Sequence, residues 1–226
     1  NTQAQLPPDL RRAGYVVRLH HRIDDLFPKT VFRGSTGPDG ADQLHFFKGG
    51  GYQSHFLLEA GSSWHRWVAM DNALLEDSGP TIIPPGRGGF FRRNGTGSGD
   101  ILTMGRVRQN AFVQNLDRGY NLISEGFPFR GSPESRALLQ ENGFLPGHGL
   151  ENADQLQIWS DESFIGYFLF SGEGLNRAPS WIRNDDVQLT DRNREWLFEP
   201  QRAAFLHLLE SDHPFYRVPY TGPTTN

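Results

Sequence analysis

Ala41-Asp42-Gln43-Leu44-His45-Phe46-Phe47 returns 112 positions later as Ala153-Asp154-Gln155-Leu156-Gln157-Ile158-Trp159, without a gap. The same offset carries Tyr52 onto Phe164 and Phe56-Leu57-Leu58 onto Phe168-Leu169-Phe170. Outward from this pair, Ser63-Trp64-His65-Arg66 matches Ser180-Trp181-Ile182-Arg183, and Pro85-Gly86-Arg87-Gly88-Gly89-Phe90 matches Pro200-Gln201-Arg202-Ala203-Ala204-Phe205. Toward the N-terminus, Gly14-Tyr15 matches Gly119-Tyr120, Phe27-Pro28 matches Phe127-Pro128, and Arg33-Gly34-Ser35 matches Arg130-Gly131-Ser132. Single pairs match by chance, but a collinear series of blocks does not. The reading is an internal duplication into two units of roughly 105 residues, an ordinary domain size. Two copies are too few for a solenoid, which needs three or more.

Each unit reads as short strands divided by turn residues. Tyr15 to Leu19 opens the first unit. Gln43 to Lys48, the turn Gly49-Gly50-Gly51 and Tyr52 to Leu58 read as a hairpin, because glycine supplies the positive φ that tight turns need. Trp64 to Met70 follows, then Gly88 to Arg93, the loop Asn94 to Gly99, and Asp100 to Arg106. In the second unit Gln155 to Trp159 and Phe164 to Phe170 repeat the pattern. Gln201 to Glu210 holds good helix formers, yet its repeat partner carries two glycines, so it is read as strand. One short helix is expected near 132–142, with Ser132 as cap, Pro133 in the first turn and Gly143 as stop. The fold class expected is all-β: two tandem related β-sandwich or barrel-like units. An extended N-terminal arm would cover 1–13, the first unit 14–113, the second 114–218, and a tail 219–226.

Composition narrows the function. Gly and Pro together make 41 of 226 residues, above background but below a low-complexity chain. The 28 aromatic residues exclude a disordered chain. No cysteine is present, which removes disulfides, thiolate nucleophiles and cysteine-ligated metal. The net charge is -4, which argues against a broad nucleic-acid footprint. No run of about 18 apolar residues offers a transmembrane helix. A chain starting at Asn1 reads as processed, either by signal-peptide removal or by cutting of a tag. The absence of Cys and the two Met residues favour the first, and with it a secreted or cell-surface location.

The candidate sites are few. Gly95-Thr96-Gly97-Ser98-Gly99 lacks the following helix that a phosphate loop needs, and reads as a hairpin turn. No Gly-x-Ser-x-Gly or His-Glu-x-x-His signature is present, so no catalytic residue is named. His45, His55 and His65 would share a face if the hairpin brings them together, yet the second unit has no histidines there, and they read as ordinary histidines. Asp39 and Asp42 fall short of the six to eight oxygens of a calcium site and read as turn residues. Trp64, matched by Trp181, reads as core. Trp67, without a repeat partner, reads as a surface contact, and with Arg66 as a possible sugar-stacking platform.

The order of motifs also points to a family. Ala153 to Trp159, the aromatic strand Tyr167 to Phe170, Ile83-Pro84-Pro85-Gly86-Arg87-Gly88-Gly89-Phe90-Phe91-Arg92-Arg93 and Leu102 to Val107 resemble an uncharacterised family of secreted bacterial β-repeat proteins. Its members carry Ala-Asp-x-Ile-x-Leu-Trp and Pro-Gly-x-Gly-Phe-Phe-Val-Arg motifs. The second unit departs from the pattern, with Gln201, Ala203 and Ala204 in place of glycines. The resemblance implies a β-rich secreted protein and no catalytic residue. The expectation is a non-catalytic extracellular structural or adhesive protein without cofactor or metal. It would assemble with copies of itself into a surface filament, its arm (Gln3, Gln5, Leu6, Leu10) adding a strand to a neighbour's sheet, with Trp67 as a further contact. The alternative is a carbohydrate-binding module using Trp67 and Arg66. An enzyme such as a glycoside hydrolase is the weakest of the three readings.

Overall fold

In the computed structural model the described residues are 20–48, 50–61, 64–95, 109–160, 163–200, 202–210 and 212–222. The expected strands 15–19 and 100–106, the glycine loop 96–99 and the arm 1–13 lie outside them. In chain order the elements are β1 (His21–Arg22), α1 (Ile23–Leu26), β2 (Gln43–Lys48), β3 (Gly51–Glu59), β4 (His65–Ala69), β5 (Ile82–Ile83) and β6 (Gly89–Arg92). The second half contributes β7 (Phe112–Leu116), β8 (Gly119–Ser124), β9 (Gln155–Ser160), β10 (Ser163–Phe170), β11 (Ser180–Arg183), β12 (Ala203–Leu208) and β13 (His213–Val218). The protein is all-β, and every pair of strands is antiparallel. One sheet runs β4-β3-β2-β6 and the other β11-β10-β9-β12-β8. β1 pairs with β5, and β7 with β13.

The two main sheets are built to one plan. Asp42 and Asp154, both buried, each tie two backbone N–H groups. Asp42 accepts from Arg33 at 2.9 Å and Asn94 at 2.7 Å. Asp154 accepts from Leu145 at 2.9 Å and Leu209 at 3.0 Å. The 3-10 turn Pro38–Gly40 before β2 has its counterpart in Leu150–Asn152 before β9. Ser35 bridges Leu58 in parallel, as Gly147 bridges Phe170. Each sheet therefore has two apolar faces at this end. A small cluster of Ala41, Phe56, Leu58 and Val68 covers the outer one, and Ala153, Phe168, Phe170 and Ile182 do so in the second sheet.

The tryptophans correct the sequence reading. Trp67 stands opposite Leu57 in β3, and Trp181 stands opposite Leu169 in β10. Both are fully buried. Each indole N–H reaches one backbone carbonyl, that of Phe27 at 3.0 Å and that of Leu138 at 2.6 Å. Trp67, not Trp64, is the partner of Trp181. The shared Ser-Trp-x-Arg letters misled, because the loop after β3 differs in length from that after β10. By the same bonds Phe27 is the counterpart of Leu138, so the match of Phe27-Pro28 with Phe127-Pro128 has no structural counterpart.

Other expectations fare differently. Residues 203–208 form a strand, as the repeat implied, with burial alternating along it. The stretch 132–142 is not an α-helix. Ser132 does accept the Ser135 N–H at 3.1 Å, but Ala137 turns to φ +58° and only the 3-10 turn Gln140–Asn142 follows. The α-helical turn stands at Ile23–Leu26 instead. The described tail folds back on its own unit, with the Tyr220 ring 5.5 Å from that of Phe127.

The largest core lies under the second sheet. Leu156, Leu169, Trp181 and Leu206 pack there against Phe112, Leu116, Tyr216 and Val218 of the β7–β13 pair. The two halves meet at β8. Gly88 N–H donates to the Leu122 carbonyl at 3.0 Å, Ser124 N–H to the Gly86 carbonyl at 2.8 Å, and the Gln114 amide also to Gly86 at 3.1 Å.

Candidate functional site

Strand alternation decides what each sheet shows to solvent. On β2, Leu44 and Phe46 are buried while Phe47 turns outward, and on β9 Leu156 and Ile158 are buried while Trp159 turns outward. Phe47 pairs with Tyr52 across its hairpin, and Trp159 pairs with Phe164 across its own. Phe90 on β6 and Phe205 on β12 complete two matching triads. The ring spacings agree: Phe47–Tyr52 5.2 Å against Trp159–Phe164 4.9 Å, and Tyr52–Phe90 6.0 Å against Phe164–Phe205 5.8 Å. The triads touch through Phe205, which lies 5.7 Å from Phe47 and 6.1 Å from Phe90. Tyr120 adds a further ring at 6.1 Å and stacks on His207 at 4.3 Å.

The result is one continuous aromatic band across both sheets. Tyr52 is 51% exposed, Phe164 47% and Trp159 46%. Scattered exposed apolar residues are ordinary on a protein surface, but a contiguous patch of this kind marks a contact surface. Beside the band, at Phe47 and Tyr120, a polar cleft is lined by Lys48, Arg87, Asn115, Asp117 and Asn121. Ring faces next to planar amide, carboxylate and guanidinium groups suit a ligand that shows both C–H faces and hydroxyls.

The residues named from sequence fall as follows. Gln3, Gln5, Leu6 and Leu10 lie outside the described residues. Trp67 is sealed in the core and cannot serve as a partner contact or platform. Arg66 lies 3.9 Å above the ring of Trp64, which is 46% exposed, so its guanidinium covers the one indole in that strand region that solvent reaches. His45 and His55 do not share a face. His45 points outward and shares a 2.8 Å hydrogen bond with Ser54, whereas His55 is buried on the opposite side, and that burial lowers its pKa. His65 lies 3.6 Å from Glu59. The Asp42 carboxylate is spent on backbone N–H groups. Among the described residues no three His, Asp or Glu side chains group as a metal site would need, and no helix is long and apolar enough to cross a membrane.

The band was missed although its signal was present. Phe47/Trp159, Tyr52/Phe164 and Phe90/Phe205 all recur at repeat positions. Recurrence alone did not separate core from surface; the parity of each position against Leu44 and Leu156 would have done so. Comparison of this chain with family models, with curated proteins and with solved structures found no match to any of them.

Proposed function

We propose that the protein is a non-catalytic adhesive module that holds glycan chains on the aromatic band. The observation carrying this is the pair of matching triads, Phe47-Tyr52-Phe90 and Trp159-Phe164-Phe205, joined into one exposed surface beside a polar cleft. Leaving such rings exposed to water is unfavourable, so a partner that covers them gains hydrophobic energy. A sugar offers an apolar ring face to the aromatics and hydroxyls to Asn115, Asp117 and Asn121. The sugar-binding alternative read from sequence is thereby moved from Trp67 and Arg66 to a different surface.

The test is affinity electrophoresis through gels containing soluble polysaccharides, for the whole chain and for Trp159→Ala and Phe164→Ala. Retardation by at least one polysaccharide, reduced about tenfold in both variants, supports the reading. Migration unchanged in every gel, with self-association seen by sedimentation instead, would mean that the band is an interface between copies.

Assembly through the leader remains a second proposal, and one feature favours it. The outer edges of β4 and β11 are already bonded by Ser78 and Arg192. The far edge of β6 has no partner strand among the described residues, whereas β12 has β8 there. An extended segment from a neighbour fits that edge. A chain lacking residues 1–12 should then stay folded and monomeric; normal assembly without them removes the idea.

A further inference from the structure

Among the described residues, the inner face of the first sheet is covered differently from that of the second. Leu156, Ile158, Phe198 and Leu206 are buried in one core with Phe112 and Tyr216. The matching wall of the first half, which includes Phe46, Ile83 and Phe91, borders an open cavity of about 210 Å³. Leu26 and Phe27 close its other side. Protein interiors hold few voids larger than a water molecule, and an apolar cavity of about 150 Å³ already accepts benzene. Gly89 stands where the second half has Ala204, and the Phe46 ring packs so closely on it that a Cβ there would lie 2.8 Å from the ring.

Among the described residues lining this apolar space, Arg87 is the one that carries a charge. Arg87 is part-exposed. The carboxylate of Asp117 attracts it from the polar cleft that Arg87 also lines. A permanent cation at the rim of an apolar cavity fits an anion with an apolar body, since arginine binds carboxylates in a planar fork. We infer that this cavity is a binding site for an amphipathic carboxylate, its hydrocarbon body against Phe27, Phe46, Ile83 and Phe91 and its carboxylate on Arg87. The cavity shares Phe90 with the aromatic band and Arg87 with the polar cleft, but the assignment does not rest on the glycan reading.

The experiment is calorimetric titration of the intact chain with octanoate, and with octanol as the uncharged control. One-to-one binding of octanoate, at least tenfold tighter than octanol, is expected. Arg87→Gln should bring octanoate down to the octanol level and leave octanol unchanged. Ile83→Trp, which fills the cavity, should abolish binding of both; Leu26→Trp serves if that variant does not fold. Absence of saturable heat with millimolar octanoate, equal binding of acid and alcohol, or binding that survives both filled cavities would each overturn the assignment.

Discussion

Trp64 and Trp67 sit three residues apart and do opposite work. Trp67 is fully enclosed among Phe27, Phe32 and Leu57, with its N–H satisfied by a carbonyl. Trp67→Ala should therefore cost about 3–5 kcal/mol in urea unfolding, as large-to-small core changes do. Trp64→Ala, at an exposed site, should stay within about 1 kcal/mol. A reversed order would mean that Trp67 is not core. Glu125 is a second residue with a checkable property. It is buried 3.3 Å from the Arg136 guanidinium, which also donates to the Ser124 carbonyl at 2.6 Å. Burial outweighs the arginine and pushes the Glu125 carboxyl from 4.5 up to about 7. A carboxyl whose folded pKa is raised favours the folded state fully below its unfolded value. That contribution is lost as pH rises from about 4.5 through about 7. Stability of the wild type should fall over that window relative to Glu125→Gln, which has no such titration. Parallel pH profiles for the two in urea unfolding would remove the claim.

At the scale of elements, the two buried aspartates are the common device. Each carboxylate pins the segment before its strand to the end of another: Arg33 to Asn94 through Asp42, and Leu145 to Leu209 through Asp154. Hydrogen bonds to a charged acceptor contribute about 1.5–3 kcal/mol each, and a buried N–H left unpaired adds a penalty. Asp42→Ala and Asp154→Ala should each destabilise by about 3 kcal/mol or more, measured by chemical denaturation. Two losses below 1 kcal/mol would show the ties to be incidental. The Ala-Asp-Gln stretch was the part of the fold most legible in the sequence, because these ties require the same letters at the same spacing. The first strand pairs were legible for the same reason. The match beyond β3 was not, because the loop from β3 to β4 and that from β10 to β11 differ in length. Only the cross-strand pairing of Trp67 with Leu57 restores it. The helix expected near 132–142 failed for a local reason: cap, proline and stop were all present, but the chain between them follows the buried Arg136 and Leu138 rather than a helical repeat.

For the whole molecule, the junction at β8 and the band above it should make the halves unfold together. Gly86 is central here. Its φ of +74° suits glycine, its carbonyl takes two hydrogen bonds from the second half, and a Cβ would meet the Phe112 ring at 2.7 Å. Gly86→Ala should destabilise by at least about 1–2 kcal/mol from the left-handed backbone alone. The wild type should show a single transition, coincident by near- and far-ultraviolet circular dichroism; two separated transitions would mean the junction carries little energy. The sequence by itself determined the all-β class, the strand hairpins and the doubled Ala-Asp-Gln plan, because turn glycines, alternation and local hydrogen-bond ties are encoded within short stretches. Only the tertiary structure decided which aromatics form the core and which form the surface. That choice depends on the face each strand turns to its neighbours, and on Phe205 meeting Phe47 and Phe90 from the other half of the chain.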